Sequence, residues 1–212
     1  MGFQKRISSL QLFSGLLSST LLLGSVSLAS AQSPLTAAPL ASIPSSITIS
    51  VEGESVQIPL RTYRPRGVPL EMGVPENSFV TAIEQRTALT RVRLSAGRGG
   101  QVISDEARIN IFWFEDIAGM DTQSDVERWL MQTSRARNIT LQPIRNRRAT
   151  YPWVSKRWRF ERGDSPRNSI SGQAIIGRLN GKYFAVVHQL PVDMQEGYGP
   201  RIDAVLSTLR SR

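Results

Sequence analysis

Residues 172–209 constrain the fold more than any other stretch, because they contain two β-prone segments joined by Asn180-Gly181. Both central residues of a type I′ turn need a positive φ, and Asn-Gly adopts that conformation at little cost. The segments at residues 174–179 and 182–190 are therefore predicted to form a β-hairpin whose register is set by the turn.

Two prolines delimit the segment that follows this hairpin. Pro191 is expected to end the second strand, since proline has no N–H to donate to a sheet ladder. Pro200 is expected at the first position of an amphipathic helix, where its fixed φ is suitable and its missing N–H costs nothing. The inward-facing stripe of that helix is predicted to be Ile202, Val205, Leu206 and Leu209.

Several side chains in the same region are expected to have structural roles. The aromatic residues predicted to pack in the core are Tyr183, Phe184 and Tyr198. Arg201 falls in the first turn of the predicted helix, where the helix dipole disfavours a cation. We therefore expect its guanidinium to pair with a carboxylate such as Asp193 or Glu196.

Upstream of the hairpin, the alternation of apolar and polar residues indicates further strands. These are predicted at residues 47–51, 56–60, 78–85, 89–96, 107–114 and 151–162. In the fourth of them, Arg91 and Arg93 share the face opposite Val92 and Leu94. That arginine-bearing face is expected to be either solvated or closed by salt bridges.

One helix is predicted between these strands. Residues 124–127 match a capping box, with Ser124 as the N-cap and Glu127 reaching back to it. The predicted inward stripe consists of Val126, Trp129, Leu130 and Thr133. Asn138 is expected to terminate the helix in a left-handed conformation. Because strands are grouped rather than alternating with helices, the predicted fold class is α+β: a mostly antiparallel sheet flanked by helices, an α/β/α sandwich.

The N-terminal segment is predicted to lie outside the fold. Lys5 and Arg6 precede an apolar run at residues 10–28, and Ala29-Ser30-Ala31 matches a signal-peptidase site. We therefore expect residues 1–31 to be a cleaved signal peptide; an uncleaved membrane anchor is the alternative, since the run is long enough to cross a bilayer. Residues 32–46 are predicted to be a disordered Ala/Pro/Ser linker and residues 47–212 a single domain.

Cysteine is absent, which excludes disulfides, thiolate nucleophiles and cysteine-based metal sites. The formal charge is +9, and because residues 1–31 contain two basic residues and no acid, the remainder carries +7. A basic excess of this size favours an acidic protein partner or an anionic membrane surface. The alternative is that the charge only keeps the protein soluble.

The basic residues concentrate in one part of the chain, with Trp153 and Trp158 among them. The set comprises Arg135, Arg137, Arg145, Arg147, Arg148, Lys156, Arg157 and Arg159. Such a mixture would suit nucleic acid in a cytoplasmic protein, but export makes nucleic acid a poor partner. We therefore predict that a basic face built on Arg145, Arg147, Arg148, Arg157 and Arg159 binds the partner through bidentate arginine contacts. A merely solvated charged face is the alternative.

The C-terminal third resembles the PsbP-like family, whose members are exported, mostly thylakoid-lumenal accessory proteins of the photosynthetic apparatus. In that family a Gly-x-Tyr-Phe strand runs to a proline, and Gly-aromatic-x-Pro-Arg leads into the last helix. The matching motif residues are Asn180, Gly181, Tyr183, Phe184, Pro191, Gly197, Pro200 and Arg201. Tyr63-x-Pro65 and the aromatic strand containing Trp158 and Phe160 follow the same order upstream. The acidic-aromatic pair that usually follows the proline is missing from residues 192–194.

This resemblance implies a sheet sandwiched by helices, no enzymatic activity, and binding to a membrane protein complex such as a photosystem-related one. No cofactor is predicted. The expected location is the periplasm or the thylakoid lumen. Two other functions remain open at this stage. The lone His188 could serve a periplasmic hydrolase together with Ser or Asp partners, although no Gly-x-Ser-x-Gly motif is present. The basic residues could also form an anionic-lipid or polyanion-binding module.

Metal binding is not predicted. Acidic pairs at Asp105-Glu106 and Glu115-Asp116 flank a strand, and Asp121 follows. Oxygen-rich loops can hold calcium, but these residues lack the spacing of an EF-hand. Solvated loop ends are the expected interpretation.

Overall fold

The computed structural model describes residues 42–51, 53–115, 120–145, 151–163, 165 and 169–212. The strands are β1 (Ser46–Val51), β2 (Glu54–Tyr63), β3 (Leu70–Pro75), β4 (Phe79–Arg86), β5 (Leu89–Arg98), β6 (Gln101–Phe114), β7 (Gln142–Pro143), β8 (Val154–Arg162), β9 (Ile170–Leu179), β10 (Lys182–Pro191) and β11 (Arg210–Ser211). The helices are α1 (Gln123–Arg135) and α2 (Gln195–Thr208), with a 3₁₀ turn at Val192–Met194. The predicted signal peptide and most of the predicted linker fall outside the described residues.

The strands form two antiparallel sheets in the part of the chain that the structure describes. The larger has the order β4-β5-β6-β10-β9-β8-β7, and the smaller has the order β1-β2-β3-β11. The strands predicted from alternation correspond to β1, β2, β4, β5, β6 and β8, although those predicted at residues 78–85 and 151–162 begin one and three residues before β4 and β8. Strand β10 is the middle strand of the larger sheet, because it pairs with β9 on one side and with β6 on the other.

The predicted hairpin is confirmed. Asn180 and Gly181 have φ values of 47° and 81°, as a type I′ turn requires. Leu179 pairs with Lys182, and the ladder continues to Ile170 opposite Pro191. The turn therefore sets the register of two neighbouring strands in the larger sheet.

The larger of two hydrophobic clusters lies between the larger sheet and a second layer made of β3 and α2. From the sheet it includes Ile109, Ile111 and Phe184, all fully buried. From the second layer it includes Met72 and Leu206, which are also fully buried. Burial of side chains of this size supplies most of the stabilising free energy of such an interface.

The smaller cluster lies on the opposite face of the larger sheet, under α1. Val126 and Leu130 of α1 are buried there against Trp158 and Ile176. Trp129 is partly buried and packs edge-on against Phe114, with ring centroids 5.0 Å apart. The predicted inward stripe of this helix is therefore correct for these three helix residues.

The predicted α/β/α sandwich is wrong. The protein is predominantly β, and the layer opposite α1 contains the four-stranded sheet together with α2. The decisive strand is β3, in which all six residues are buried. Leu70, Met72 and Val74 alternate with Glu71, Gly73 and Pro75, but the strand is short and its glycine and proline are typical of loops, so the sequence does not predict a strand here.

Both helices begin earlier than predicted. The N-cap of α1 is Thr122, whose hydroxyl accepts from the Asp125 N–H at 3.3 Å, rather than Ser124. Pro200 does not open α2 but lies inside it. The missing N–H of Pro200 would have bonded to the Glu196 carbonyl, so only one bond close to the helix start is lost. Asn138 does adopt the expected left-handed conformation, with φ at 55°.

Candidate functional site

The predicted basic face is divided between the two sides of β8. Lys156 and Trp158 lie on the α1 side, where the Lys156 ammonium is 2.5 Å from Glu127 and 5.1 Å from the Trp158 ring centroid. Arg159 lines a cleft on the α2 side, and strand alternation places Arg157 on that side too. Residues that are adjacent along a strand alternate between its faces, so this run cannot form one surface.

The other members of the predicted face add little to it. Arg145 is exposed beyond β7. Arg147 and Arg148 lie outside the described residues. Arg159 donates from Nε to the Gln142 side-chain oxygen at 3.1 Å, a bond that links the outermost two strands of the larger sheet.

A different group of arginines does share one face of the larger sheet. Phe112 of β6 packs against Trp129 of α1, which identifies the α1 side. Strand alternation places Asn110 and Arg108 on that same side. Their partners across the β5–β6 ladder are Arg93 and Ser95, and residues paired in this way point to the same side. Arg91, paired with Phe112, completes the row.

Two further arginines approach this row from outside β5 and β6. Arg137, in the turn after α1, lines a small hollow together with Arg91 and Trp129. Arg162 reaches from β8 to the Glu106 carboxylate, 3.3 Å away. We call the set Arg91, Arg93, Arg108, Arg137 and Arg162 the arginine face.

Carboxylates neutralise the arginine face only in part. Glu84 forms ion pairs with both Arg91 and Arg93, the latter at 3.3 Å. These hydrogen bonds and charges hold the pKa of Glu84 below its usual value, with the Arg91 hydrogen bond as the largest cause. The predicted alternative of a face closed by salt bridges is thus confirmed for β5. Arg108 and Arg137, by contrast, have no carboxylate partner among the described residues.

Arg108 occupies the least favourable position on this face. Burial is the main cause that lowers its pKa below the usual value for arginine, followed by the positive charges of Arg137 and Arg162. Arg93 and Arg91 act in the same direction. The guanidinium stays protonated at any physiological pH, so a positive charge is held among like charges. An arrangement of this kind favours the approach of an anion.

Sequence patterns alone do not identify Arg108 and Arg162 as site residues. They lie on β6 and β8, which are separated in the sheet by β10 and β9. Strand alternation places each on the polar face of its own strand, but only the strand order brings them onto the same side. That order depends on the β6–β10 pairing, which no local pattern predicts.

His188 lies in a separate cleft of about 390 Å³ between α2 and strands β8, β9 and β10. Asp203 of α2 and Ser171 of β9 also line this cleft. The imidazole is partly exposed to the cleft, yet burial lowers the pKa of His188 to about 4, although the Asp203 charge raises it. The ring is therefore neutral at neutral pH.

The cleft lacks the hydrogen bonds of a catalytic triad. Within the described ranges, the His188 side chain makes no hydrogen bond to a serine or a carboxylate. The Ser171 hydroxyl instead accepts from the Gln195 amide at 2.8 Å, and Asp203 accepts from the Tyr151 phenol at 2.7 Å. No group here is arranged to activate a nucleophile.

The family-motif residues in β10 have structural positions. Phe184 is fully buried, in contact with Trp153 and Trp113. Tyr183 is partly buried on the other face, with the Arg178 guanidinium 5.3 Å from its ring centroid. Pro191 is the last residue of the strand, as predicted.

The motif residues in α2 differ from expectation in one respect. Arg201 donates to the Gly197 carbonyl and lies 5.6 Å over the Tyr198 ring. Among the described ion pairs it has none with Asp193 or Glu196, so the predicted pairing is wrong. Tyr198 is partly buried and donates from its hydroxyl to the Gly97 carbonyl at 3.0 Å.

No group of three or more His, Asp or Glu side chains in the described ranges is placed to hold a metal ion. Glu115 accepts from the Thr90 hydroxyl at 2.9 Å, and Glu106 is paired with Arg162. Asp116 lies outside the described residues. Of the helices that the structure describes, none has the length and apolarity needed to span a membrane.

Comparison with known proteins does not assign the chain to a family. No family model matches it, and no curated protein matches it. Among solved structures, it is similar to a crystal structure from Bacteroides thetaiotaomicron determined at 1.50 Å resolution, with 11% identity and a TM-score of 0.43. The match covers 71% of this chain and 48% of that one, so the chain spans about half the length of that protein.

Proposed function

We propose that this protein is an exported, non-catalytic binding protein that docks on the acidic surface of a membrane protein complex through its arginine face. The observation that carries this proposal is the placement of Arg108 and Arg137 on one side of the larger sheet without carboxylate partners in the described residues. The predicted bidentate arginine contacts are retained, but the docking surface is the α1 side of the larger sheet and not the residues around β8.

The chemistry of the face fits an acidic protein surface. A guanidinium presents several donors in a rigid plane, and it binds carboxylates through two parallel hydrogen bonds. Arg137 is exposed, whereas Arg91, Arg93, Arg108 and Arg162 are partly buried and held by the sheet. Side chains that are already fixed lose little conformational entropy on binding, which favours recognition over diffuse attraction.

Two features beyond the arginine face support the choice of partner. The predicted signal peptide would place the protein outside the cytoplasm, where membrane complexes expose large surfaces. The resemblance to PsbP-like proteins over residues 172–206 suggests an accessory role on such a complex. Both stay predictions, and the periplasmic or thylakoid-lumenal location is part of the proposal.

The hydrolase alternative has less support. A catalytic histidine must be within hydrogen-bond reach of the group from which it takes a proton. His188, Ser171 and Asp203 do line the same cleft. However, the hydrogen bonds of Ser171 and Asp203 go to Gln195 and Tyr151 instead. We therefore favour a binding role.

Rebinding to salt-washed membranes of the source organism tests the docking function. The protein would be expressed from the full-length sequence and purified after any processing of the predicted signal peptide by the cell. We expect binding at low ionic strength that weakens as salt rises, because charge attraction between exposed groups is screened. Arg137→Glu should reduce binding severalfold. Arg61→Glu, the same charge change at an exposed residue of β2, should not.

Vesicles containing phosphatidylglycerol separate a protein partner from a lipid one. If the protein binds protease-treated membranes and these vesicles as well as it binds untreated membranes, the partner is lipid and the protein-docking proposal fails. If washed membranes neither retain nor rebind the protein, no docking function exists. Equal binding by the Arg137→Glu and Arg61→Glu variants would show that the arginine face is not the docking surface.

A further inference from the structure

Three buried polar atoms of the described residues have no hydrogen-bond partner: Nε of Arg108, Nε of Arg162 and Oδ1 of Asn110. All three belong to the α1 side of the larger sheet, and two of them are on residues of the arginine face. A buried polar group without a partner costs free energy, and native structures contain few of them. Three on one face mark a place where a bound group would complete their hydrogen bonding.

The free edge of Arg108 indicates what that group is. Its Nη1 donates to the Asp105 carbonyl at 2.9 Å, and this is its one side-chain hydrogen bond within the described residues. Nε and Nη2 form the edge through which a guanidinium binds two oxygens of one anion. Arg108 is partly exposed, so an anion can approach this edge, although Nε itself lies below the surface.

Asn110 stands next to Arg108 on the same face and is itself buried, with 5% of its surface exposed. Its amide oxygen and nitrogen can exchange places by rotation about the last side-chain bond. Rotation would place an N–H donor where the unpartnered Oδ1 now lies. An amide and a guanidinium together offer a set of donors that neither residue has alone.

The positive charges around Arg108 determine which kind of anion binds there most favourably. Arg137 and Arg162 contribute positive potential at Arg108, and so do Arg93 and Arg91. Glu106 compensates Arg162 and Glu84 compensates the two β5 arginines, so no carboxylate in the described residues serves Arg108. A phosphate group can contact several donors at once through its tetrahedrally arranged oxygens, whereas a carboxylate has two oxygens in one plane; inorganic phosphate also gains from its second negative charge in this field.

We propose that Arg108, Asn110 and Arg162 form a binding site for a phosphate-type oxyanion at the centre of the arginine face. The anion accepts two hydrogen bonds from the Nε–Nη2 edge of Arg108, while Asn110 and Arg162 donate to its remaining oxygens after a small side-chain adjustment. The source is either free phosphate or the phosphate of a lipid headgroup. This inference deepens the proposed docking function, since it supplies a specific ligand on the same face.

Calorimetric titration of the purified protein with inorganic phosphate tests the site. Sodium chloride at matched ionic strength is the reference. We expect saturable binding of one phosphate per protein, and a dissociation constant that rises about tenfold or more in Arg108→Gln, because two charge-assisted hydrogen bonds are lost. The dissociation constant of Arg108→Lys should lie between those of the wild type and Arg108→Gln, since lysine keeps the charge but not the two-donor edge. Arg61→Gln should bind as the wild type does.

Circular dichroism would establish that each variant is folded before titration. If Arg108→Gln does not fold, Arg162→Gln gives the same comparison at the second unpartnered Nε. If the wild type shows neither saturable phosphate binding nor vesicle binding that depends on Arg108, the proposal is overturned. Equal affinity of the wild type and both Gln variants overturns it as well, because the anion would then bind elsewhere.

Vesicles distinguish the two sources of phosphate. Binding to phosphatidylglycerol vesicles but not to phosphatidylcholine vesicles, lost in Arg108→Gln, supports the site with a lipid headgroup as its ligand. Saturable binding of inorganic phosphate without preference for these vesicles supports it with free phosphate. The titration uses no membranes, so the docking function can fail while phosphate binding persists. Conversely, membranes can rebind the protein while Arg108→Gln changes nothing, which would leave docking intact and remove the site.

Discussion

The Tyr151 hydroxyl donates a hydrogen bond of 2.7 Å to Oδ1 of Asp203 and so joins the segment before β8 to α2. Burial, and then this bond, raise the pKa of Tyr151, so the phenol stays protonated. The Tyr151 ring also stacks on Trp153 at 5.4 Å, and the Trp153 indole N–H donates to the Leu206 carbonyl. This group closes one end of the larger core.

Replacing Tyr151 by Phe removes that hydrogen bond and keeps the stacking. We expect the free energy of unfolding to fall by about 1 kcal/mol, and the decrease to be larger if Asp203 finds no other partner. Tyr183→Phe is the matched control, because its hydroxyl makes no hydrogen bond in the described residues. Chemical denaturation measures both. An equal loss in the two variants would show that the Tyr151–Asp203 bond contributes nothing.

Gly177 is predicted to be intolerant of any side chain. A Cβ there would lie 2.4 Å from Phe184 and 2.7 Å from Trp153, both buried ring atoms. Gly177→Ala should therefore destabilise the protein by about 1–3 kcal/mol through overpacking. Gly197→Ala, in α2 where the added Cβ would meet only the flexible end of Arg201 at 3.9 Å, should instead stabilise it by about 0.5–1 kcal/mol. Thermal unfolding of both variants tests the contrast, and a stabilised Gly177→Ala would refute it.

Glu71 anchors the smaller sheet by pairing with Arg64 at 2.8 Å and Arg210 at 2.6 Å. It is only 7% exposed, and the Arg64 and then the Arg210 hydrogen bonds hold its pKa below the usual value. Glu71→Gln should cost about 3 kcal/mol, because Arg210 is left partly buried without a counter-charge. Arg64→Gln removes an exposed partner and should cost less than about 1 kcal/mol. Comparable losses in urea denaturation would contradict this ranking.

His188 makes stability depend on pH in a narrow range. Its pKa is lowered to about 4 in the folded protein, whereas an exposed histidine titrates near about 6.5. The unfolded chain therefore binds a proton first as pH falls, so stability decreases between about pH 6.5 and 4. The full loss is at most about 3 kcal/mol, and the partial exposure of the ring to the cleft reduces it.

The change in unfolding free energy from pH 7 to pH 5 isolates this effect, because His188 is the sole histidine and most carboxylates stay ionised there. His188→Gln should flatten the pH dependence over that interval while leaving the dependence below pH 4 in place. An unchanged slope in His188→Gln would mean that the imidazole is protonated as easily in the folded protein as in the unfolded chain.

Local patterns were sufficient to predict the hairpin and most long strands. The Asn180-Gly181 turn requires positive φ at two adjacent residues, and half-buried strands alternate visibly. By contrast, β3 has only six residues and includes Gly73 and Pro75, directly after a segment rich in proline, so no strand was predicted there and the second sheet was missed. The error in fold class follows from that one strand, because a helix layer was expected where β3 and its partners lie.

The candidate site was less predictable than the fold. Arg157 and Lys156 are neighbours in sequence but lie on opposite faces of β8, so a sequence cluster was mistaken for a surface. The arginine face instead draws Arg93, Arg108 and Arg162 from three different strands. Strand order decides which of their faces coincide, and that order rests on contacts between distant parts of the chain.

The central position of β10 has a consequence for the order in which the protein can fold during synthesis. Strands β4, β5 and β6 are synthesised well before β10 and can pair with each other, but one edge of β6 stays open until β10 is made. In the smaller sheet, β1, β2 and β3 can pair early, but the β3–β11 pairing forms last, since Arg210 meets Glu71 across 139 residues. Long-range pairing of this kind slows folding, and an open apolar edge is prone to aggregation. A chain released before its last strands would therefore expose β6, and we expect a chaperone to protect this strand until β10 pairs with it.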